Sequence, residues 1–115
     1  KNFKNFKNVL TPIVQSGIKH AYHLYPVKID FNITKLNKVE FFKEMKNSGI
    51  NLQVHYIPVH LQPFYQSKYG FNYGDFPIAE SYYNKTISLP IYPSLQINEI
   101  EKIVSKIKLL IKWLL

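Results

Sequence analysis

Leu52-Gln53-Val54-His55-Tyr56-Ile57-Pro58 is the stretch that decides how the chain is read. Its side chains alternate in character, the period of an extended strand, with Gln53 and His55 on one polar face. Pro58 has no backbone N–H and biases the residue before it toward extended geometry, so the strand stops there and a loop begins.

Working outward, the span from His20 to Ile29 places Tyr22, Leu24, Val27 and Ile29 among strand-forming residues. It is expected to be a second strand, with Pro26 at an edge or a bulge. Between the two, Asn37-Lys38-Val39-Glu40 has the spacing of a capping box ahead of Phe41, Phe42 and Met45. Gly49 suits the left-handed residue that ends such a helix. Downstream, Val59 to Gly74 is aromatic and aperiodic, a loop with one helical turn expected at Pro63 to Ser67. Asp75 is expected to cap a helix through Ile78, Ala79, Tyr82 and Tyr83, with Pro77 in its first turn. Thr86-Ile87-Ser88-Leu89 then reads as a short strand closed by Pro90. Asn98 and Glu101 suggest a second capping box. It opens a helix whose stripe is Ile100, Ile103, Val104, Ile107, Leu110, Ile111 and Leu114.

This order predicts an α+β fold, a two-layer small domain whose small mixed or antiparallel sheet is covered by helices. Residues 1–16, with their Lys-Asn-Phe run, are expected to be the end of an upstream helix or a linker, and residues 17–115 the domain itself. A start at Lys1, with no capping residue ahead of the run, points to a missing upstream portion. The C-terminal stripe either covers the sheet or docks on that missing portion.

With 115 residues, 46% of them hydrophobic, the chain suffices for one core and not for two. The absence of cysteine excludes disulfides and thiolate zinc sites and fits a cytoplasmic protein. The apolar tail, interrupted by lysine, is too short to cross a bilayer. A net charge of +8 invites a nucleic-acid reading, but all fifteen basic residues are lysine. Without arginine there is no bidentate fork for guanine edges, phosphate or carboxylate, which argues against sequence-specific DNA recognition.

His20, His23, His55 and His60 do not form a credible metal set. His20 and His23 would point to opposite faces of a strand, and no cysteine or carboxylate stands near either pair. His55 fits two roles, a substrate contact or a structural hydrogen bond at the strand exit, and His60 leans to the structural one. The tyrosines from Tyr65 to Tyr83 suit packing of a long loop better than a base-stacking platform.

Several spaced segments now agree: Ala21-Tyr22-His23-Leu24-Tyr25, Val54 through Tyr65, Asp75-Phe76-Pro77-Ile78-Ala79-Glu80 and Ser88-Leu89-Pro90. In this order the chain resembles the C-terminal domain of the DegT/DnrJ/StrS aminotransferases, over nearly all residues after Ser16. Within the family, Gln53 to Tyr56 and Ala21 to Val27 are most similar to the members of pseudaminic acid synthesis that aminate a UDP-linked 4-keto-6-deoxy-N-acetyl sugar.

The resemblance implies a fold-type I enzyme working as a homodimer, with pyridoxal phosphate on a lysine of a separate large domain. None of the fifteen lysines here stands in a segment like that motif, so the chain is expected to bind no cofactor and to hold no catalytic residue. What it implies for this chain is a substrate wall made by Gln53, Val54, His55 and Tyr56, with His60 and Tyr65 either beside the substrate or structural. The expected ligands of the whole enzyme are a nucleotide-sugar and glutamate as amino donor. With no arginine, any carboxylate clamp for the donor must lie elsewhere. The competing expectation is a non-enzymatic lysine-rich module that binds an anionic polymer such as single-stranded nucleic acid.

Overall fold

A computed structural model describes residues 3, 4 and 6–111. In chain order the elements are β1 (Val9–Leu10), β2 (Tyr25–Ile29), α1 (Lys38–Asn47), β3 (Gln53–Val54), α2 (Pro63–Tyr69), α3 (Pro77–Lys85), β4 (Thr86–Leu89) and α4 (Ile97–Ile111). Short 3-10 turns lie at Phe31–Ile33 and Val59–Leu61. The strands form one antiparallel sheet in the order β1-β2-β4-β3. The α+β expectation holds, and of the two sheet types left open it is the antiparallel one.

Register sorts the side chains. Val27 pairs with Ile87 and Val9 with Ile29, so these share one face, while Lys28 pairs with Thr86 and Gln53 with Ser88 on the other. The apolar face packs against α1 and α4, where Val27, Ile29, Ile87, Phe41, Met45, Ile107 and Ile111 are sealed from solvent. Each such side chain contributes roughly 1.5–3 kcal/mol by leaving water. The stripe on α4 therefore covers the sheet. Leu114, the last residue assigned to it from the sequence, lies outside the described residues.

The capping box at α1 forms as expected. The Asn37 side chain accepts from the Glu40 amide and the Glu40 carboxylate accepts from the Asn37 amide, both at 2.9 Å. Gly49 ends the helix with φ of 74°, where an L side chain is strained.

Four expectations are corrected. The strand expected from His20 begins only at Tyr25, because Tyr22 turns into positive φ, its amide donating to Nδ1 of His20. The strand expected over Leu52 to Ile57 pairs only at Gln53 and Val54. Continuing the register would set Tyr56 opposite Lys85, which already belongs to α3. Asp75 does not cap α3. It accepts from the Asn72 amide, while Phe76 occupies the cap position without a side-chain bond. At α4 the expected Asn98–Glu101 box does not form; the Glu99 carboxylate accepts from the Gln96 amide, while the Glu99 amide donates to Oδ1 of Asn98.

β1 carries the sheet into the segment that the sequence sets off before Gly17, and Val9 is buried in the core. Because β1 pairs only with Lys28 and Ile29, Pro26 has β4 as its single neighbour, which explains how a strand between two others tolerates proline. Among the described residues no helix is long and apolar enough to cross a membrane.

Candidate functional site

β3 is an edge strand of the sheet, and the segment after it runs beside α3, where the His55 ring meets Tyr82. Gln53 and Val54 are exposed, and Tyr56 is 89% exposed. His55 is the one half-buried member of the group. Its Nε2 lies 3.1 Å from the hydroxyl oxygen of Ser88 on β4, and its ring meets the Tyr82 ring edge-on at 5.7 Å between centroids. The tautomer sets which partner donates.

His55 and Tyr56 line a shallow concavity of about 700 Å³ together with Pro58, Phe76, Ile78 and Tyr82. Ile78 on α3 is 87% exposed, so that helix presents apolar surface beside Tyr56. Gln53 and Val54 stand next to this hollow without lining it. A larger cavity of about 1170 Å³ lies elsewhere, between the N-terminal segment, the sheet and α4, and none of the sequence candidates reaches it.

The other two candidates are held apart. Tyr65 is half-buried and packs against Phe64 and Tyr69 at centroid distances of 5.2 and 6.1 Å. His60 is buried, with Nε2 2.7 Å from the Glu80 carboxylate. Glu80 also accepts from the amides of Gly74 and Phe76. Burial works against ionising Glu80, but the hydrogen bonds from His60 and the two amides outweigh it and hold the carboxyl below its usual value. Sequence reasoning gave Glu80 no role. The available signal was an acidic residue one turn into a helix whose own cap position is apolar.

Burial lowers the pKa of Lys38. Its ammonium donates to the carbonyl oxygen of Tyr83 and sits 4.5 Å from the centre of that ring. It is thus committed, and the glycines at 17, 49, 70 and 74 are isolated turn residues with open space around them rather than a phosphate cradle. Pyridoxal phosphate needs a lysine placed beside a phosphate site, and neither Lys38 nor these glycines supply that pair. Nor, among the described residues, do three His, Cys, Asp or Glu side chains gather closely enough to hold a metal ion. Lysines 28, 38 and 68 each lie over separate aromatic rings.

The model of the DegT/DnrJ/EryC1/StrS aminotransferase family matches residues 1–108. Uncharacterized protein MJ1066 of Methanocaldococcus jannaschii is 41% identical over 108 residues, which is 94% of this chain and 28% of that protein. Helicobacter pylori PseC, an aminotransferase involved in the biosynthesis of pseudoaminic acid, superposes with a TM-score of 0.83 at 24% identity over 96% of this chain and 29% of its own. NtdA of Bacillus subtilis, solved with bound cofactor PMP, superposes with a TM-score of 0.75 at 23% identity over 96% and 25%. At such identities these structures speak for the fold. The chain spans between a quarter and a third of the length of each of these relatives. It belongs to the DegT/DnrJ/EryC1/StrS aminotransferase family.

Proposed function

We propose that this chain is the C-terminal small domain of a homodimeric, pyridoxal-phosphate-dependent sugar aminotransferase, with residues 17–115 as most of its body and the segment before Gly17 as the approach from a large domain, which adds β1 to the same sheet on its way. The large domain supplies the cofactor and its lysine, and this chain alone binds no cofactor. The enzyme transfers an amino group from glutamate to a UDP-linked 4-keto-6-deoxy-N-acetyl sugar, and Gln53 to Tyr56 form one wall of the substrate pocket.

One observation carries the reading of the wall. Tyr56, a large amphipathic side chain, is almost wholly exposed beside a His55 that is fixed by Ser88 and Tyr82. A ring of this size left outside a small core suits contact with a base or sugar face, and its hydroxyl can reach polar groups of the same ligand. Gln53 adds an amide able both to donate and to accept, as discrimination among sugar hydroxyls or uracil edges requires. PseC, by its described role in pseudoaminic acid biosynthesis, supports the choice of substrate class.

The test is steady-state kinetics of the complete enzyme with His55→Ala or Tyr56→Ala. The expected result is a raised KM for the nucleotide-sugar with cofactor absorbance intact. Kinetics unaltered in both variants would contradict the assignment.

A further inference from the structure

His60 and Glu80 are twenty positions apart, yet each is buried, 7% and 3% exposed. A buried ionisable pair is costly unless its remaining lone pairs find donors. Here they do. The Glu80 carboxylate takes the Gly74 amide at 2.9 and 3.0 Å and the Phe76 amide at 3.4 Å, while the Phe76 ring covers the His60 ring at 4.7 Å. One side chain thereby joins the 3-10 turn after β3, the loop before α3 and α3 itself.

This matters for the segment between His55 and His60. The strand ladder ends at Val54, and Tyr56, Ile57 and Val59 expose 89%, 50% and 58% of their surface, so side-chain packing does not hold them. The segment is pinned at its ends instead. His55 is fixed by Ser88 and Tyr82, and His60 by Glu80, with the Leu61 amide closing a turn onto the Pro58 carbonyl. Releasing the second pin leaves Tyr56 tethered from one side only.

We propose that Glu80 is a positioning residue, which acts through His60 to fix the far end of residues 55–60 and so sets Tyr56 against the nucleotide-sugar. This rests on the reading of Gln53 to Tyr56 as substrate wall.

The experiment is a double-mutant cycle in the complete enzyme, with Tyr56→Ala, Glu80→Ala and both together, varying a UDP-linked 4-keto-6-deoxy-N-acetyl sugar. Glu80→Ala is expected to raise KM about tenfold and leave kcat within about twofold. The double variant is expected to match Tyr56→Ala, since nothing remains to be positioned. Met45→Ala, a core change far from the wall, is the control that lowers the melting temperature without moving KM. Glu80→Gln keeps an acceptor for the two amides and is expected to limit the rise to about threefold. It replaces Glu80→Ala in the cycle if the latter does not fold. Penalties that multiply in the double variant overturn the positioning role. So does an unmoved KM in the Glu80 variants while Tyr56→Ala raises it, an outcome that leaves the wall standing. An unmoved KM in Tyr56→Ala removes the wall and the positioning role with it.

Discussion

His55 hydrogen-bonds the hydroxyl of Ser88 at 3.1 Å, although the ladder pairs Ser88 with Gln53. The imidazole leans back along its own face of the sheet by two residues, the repeat of a strand face. Ser88 is buried on β4, so the partner does not move, and the chain leaves β3 with one side chain anchored in the sheet. The wall therefore starts from a fixed point. Replacing Ser88 with alanine is expected to loosen His55, seen as a shift of its imidazole resonances and a loss of about 1 kcal/mol of stability. Unchanged resonances would show that the contact does not hold the ring.

Asn37 and Glu40 exchange hydrogen bonds at the start of α1, the helix that carries Phe41 and Met45 into the core. Asn37→Ala removes an acceptor for the Glu40 amide, and denaturant unfolding of this chain should show a loss of about 1 kcal/mol. Because the helix is otherwise intact, the slope of the unfolding curve should not change.

Ile107 is sealed between α4 and the sheet. Ile107→Ala should cost about 2–5 kcal/mol through lost burial and the cavity left behind. Domains of this class hold about 5–15 kcal/mol in total, so the melting temperature should fall by many degrees. Ile78→Ala, on the exposed side of α3, should leave it within about 0.5 kcal/mol of the parent.

Acid should release the Glu80 network. The folded-state pKa of Glu80 lies below its ordinary value of 4.5, where burial is outweighed by the bonds from His60, Gly74 and Phe76. Its contribution is therefore complete above that value and is lost as pH falls through the depressed folded value. Asp30, lowered by its bond from Lys85 and by the Asn32 amide, behaves alike from its ordinary value of 3.8. Stability measured between pH 6 and the acid limb should fall less steeply in Glu80→Gln than in the parent. Parallel curves for the two would remove Glu80 from the account.

The sequence made the helices legible where local chemistry decides them. Asn37-Lys38-Val39-Glu40 specifies its cap within one turn, and Ile103, Val104, Ile107 and Ile111 specify a face by spacing alone. Strand limits were less legible, since they depend on the partner strand. β3 stops at Val54 because α3 begins on the other side, which nothing between Leu52 and Pro58 records. β1 was not legible at all, two residues paired at a distance of about twenty positions. The same holds at the site. Tyr56 and His55 stand together as their adjacency suggests, while the separation of His60 depends on Glu80, a partner that only the folded chain brings near.

Hydrogen exchange across residues 53–58 of the complete enzyme, with and without the UDP-linked 4-keto-6-deoxy-N-acetyl sugar, tests the substrate wall most directly. The wall predicts that the amides from Gln53 to Ile57 slow markedly when the sugar is added, while those of α1 keep their rates. Exchange at Gln53 to Ile57 that ignores the sugar, with protection appearing only in other parts of the enzyme, would contradict it.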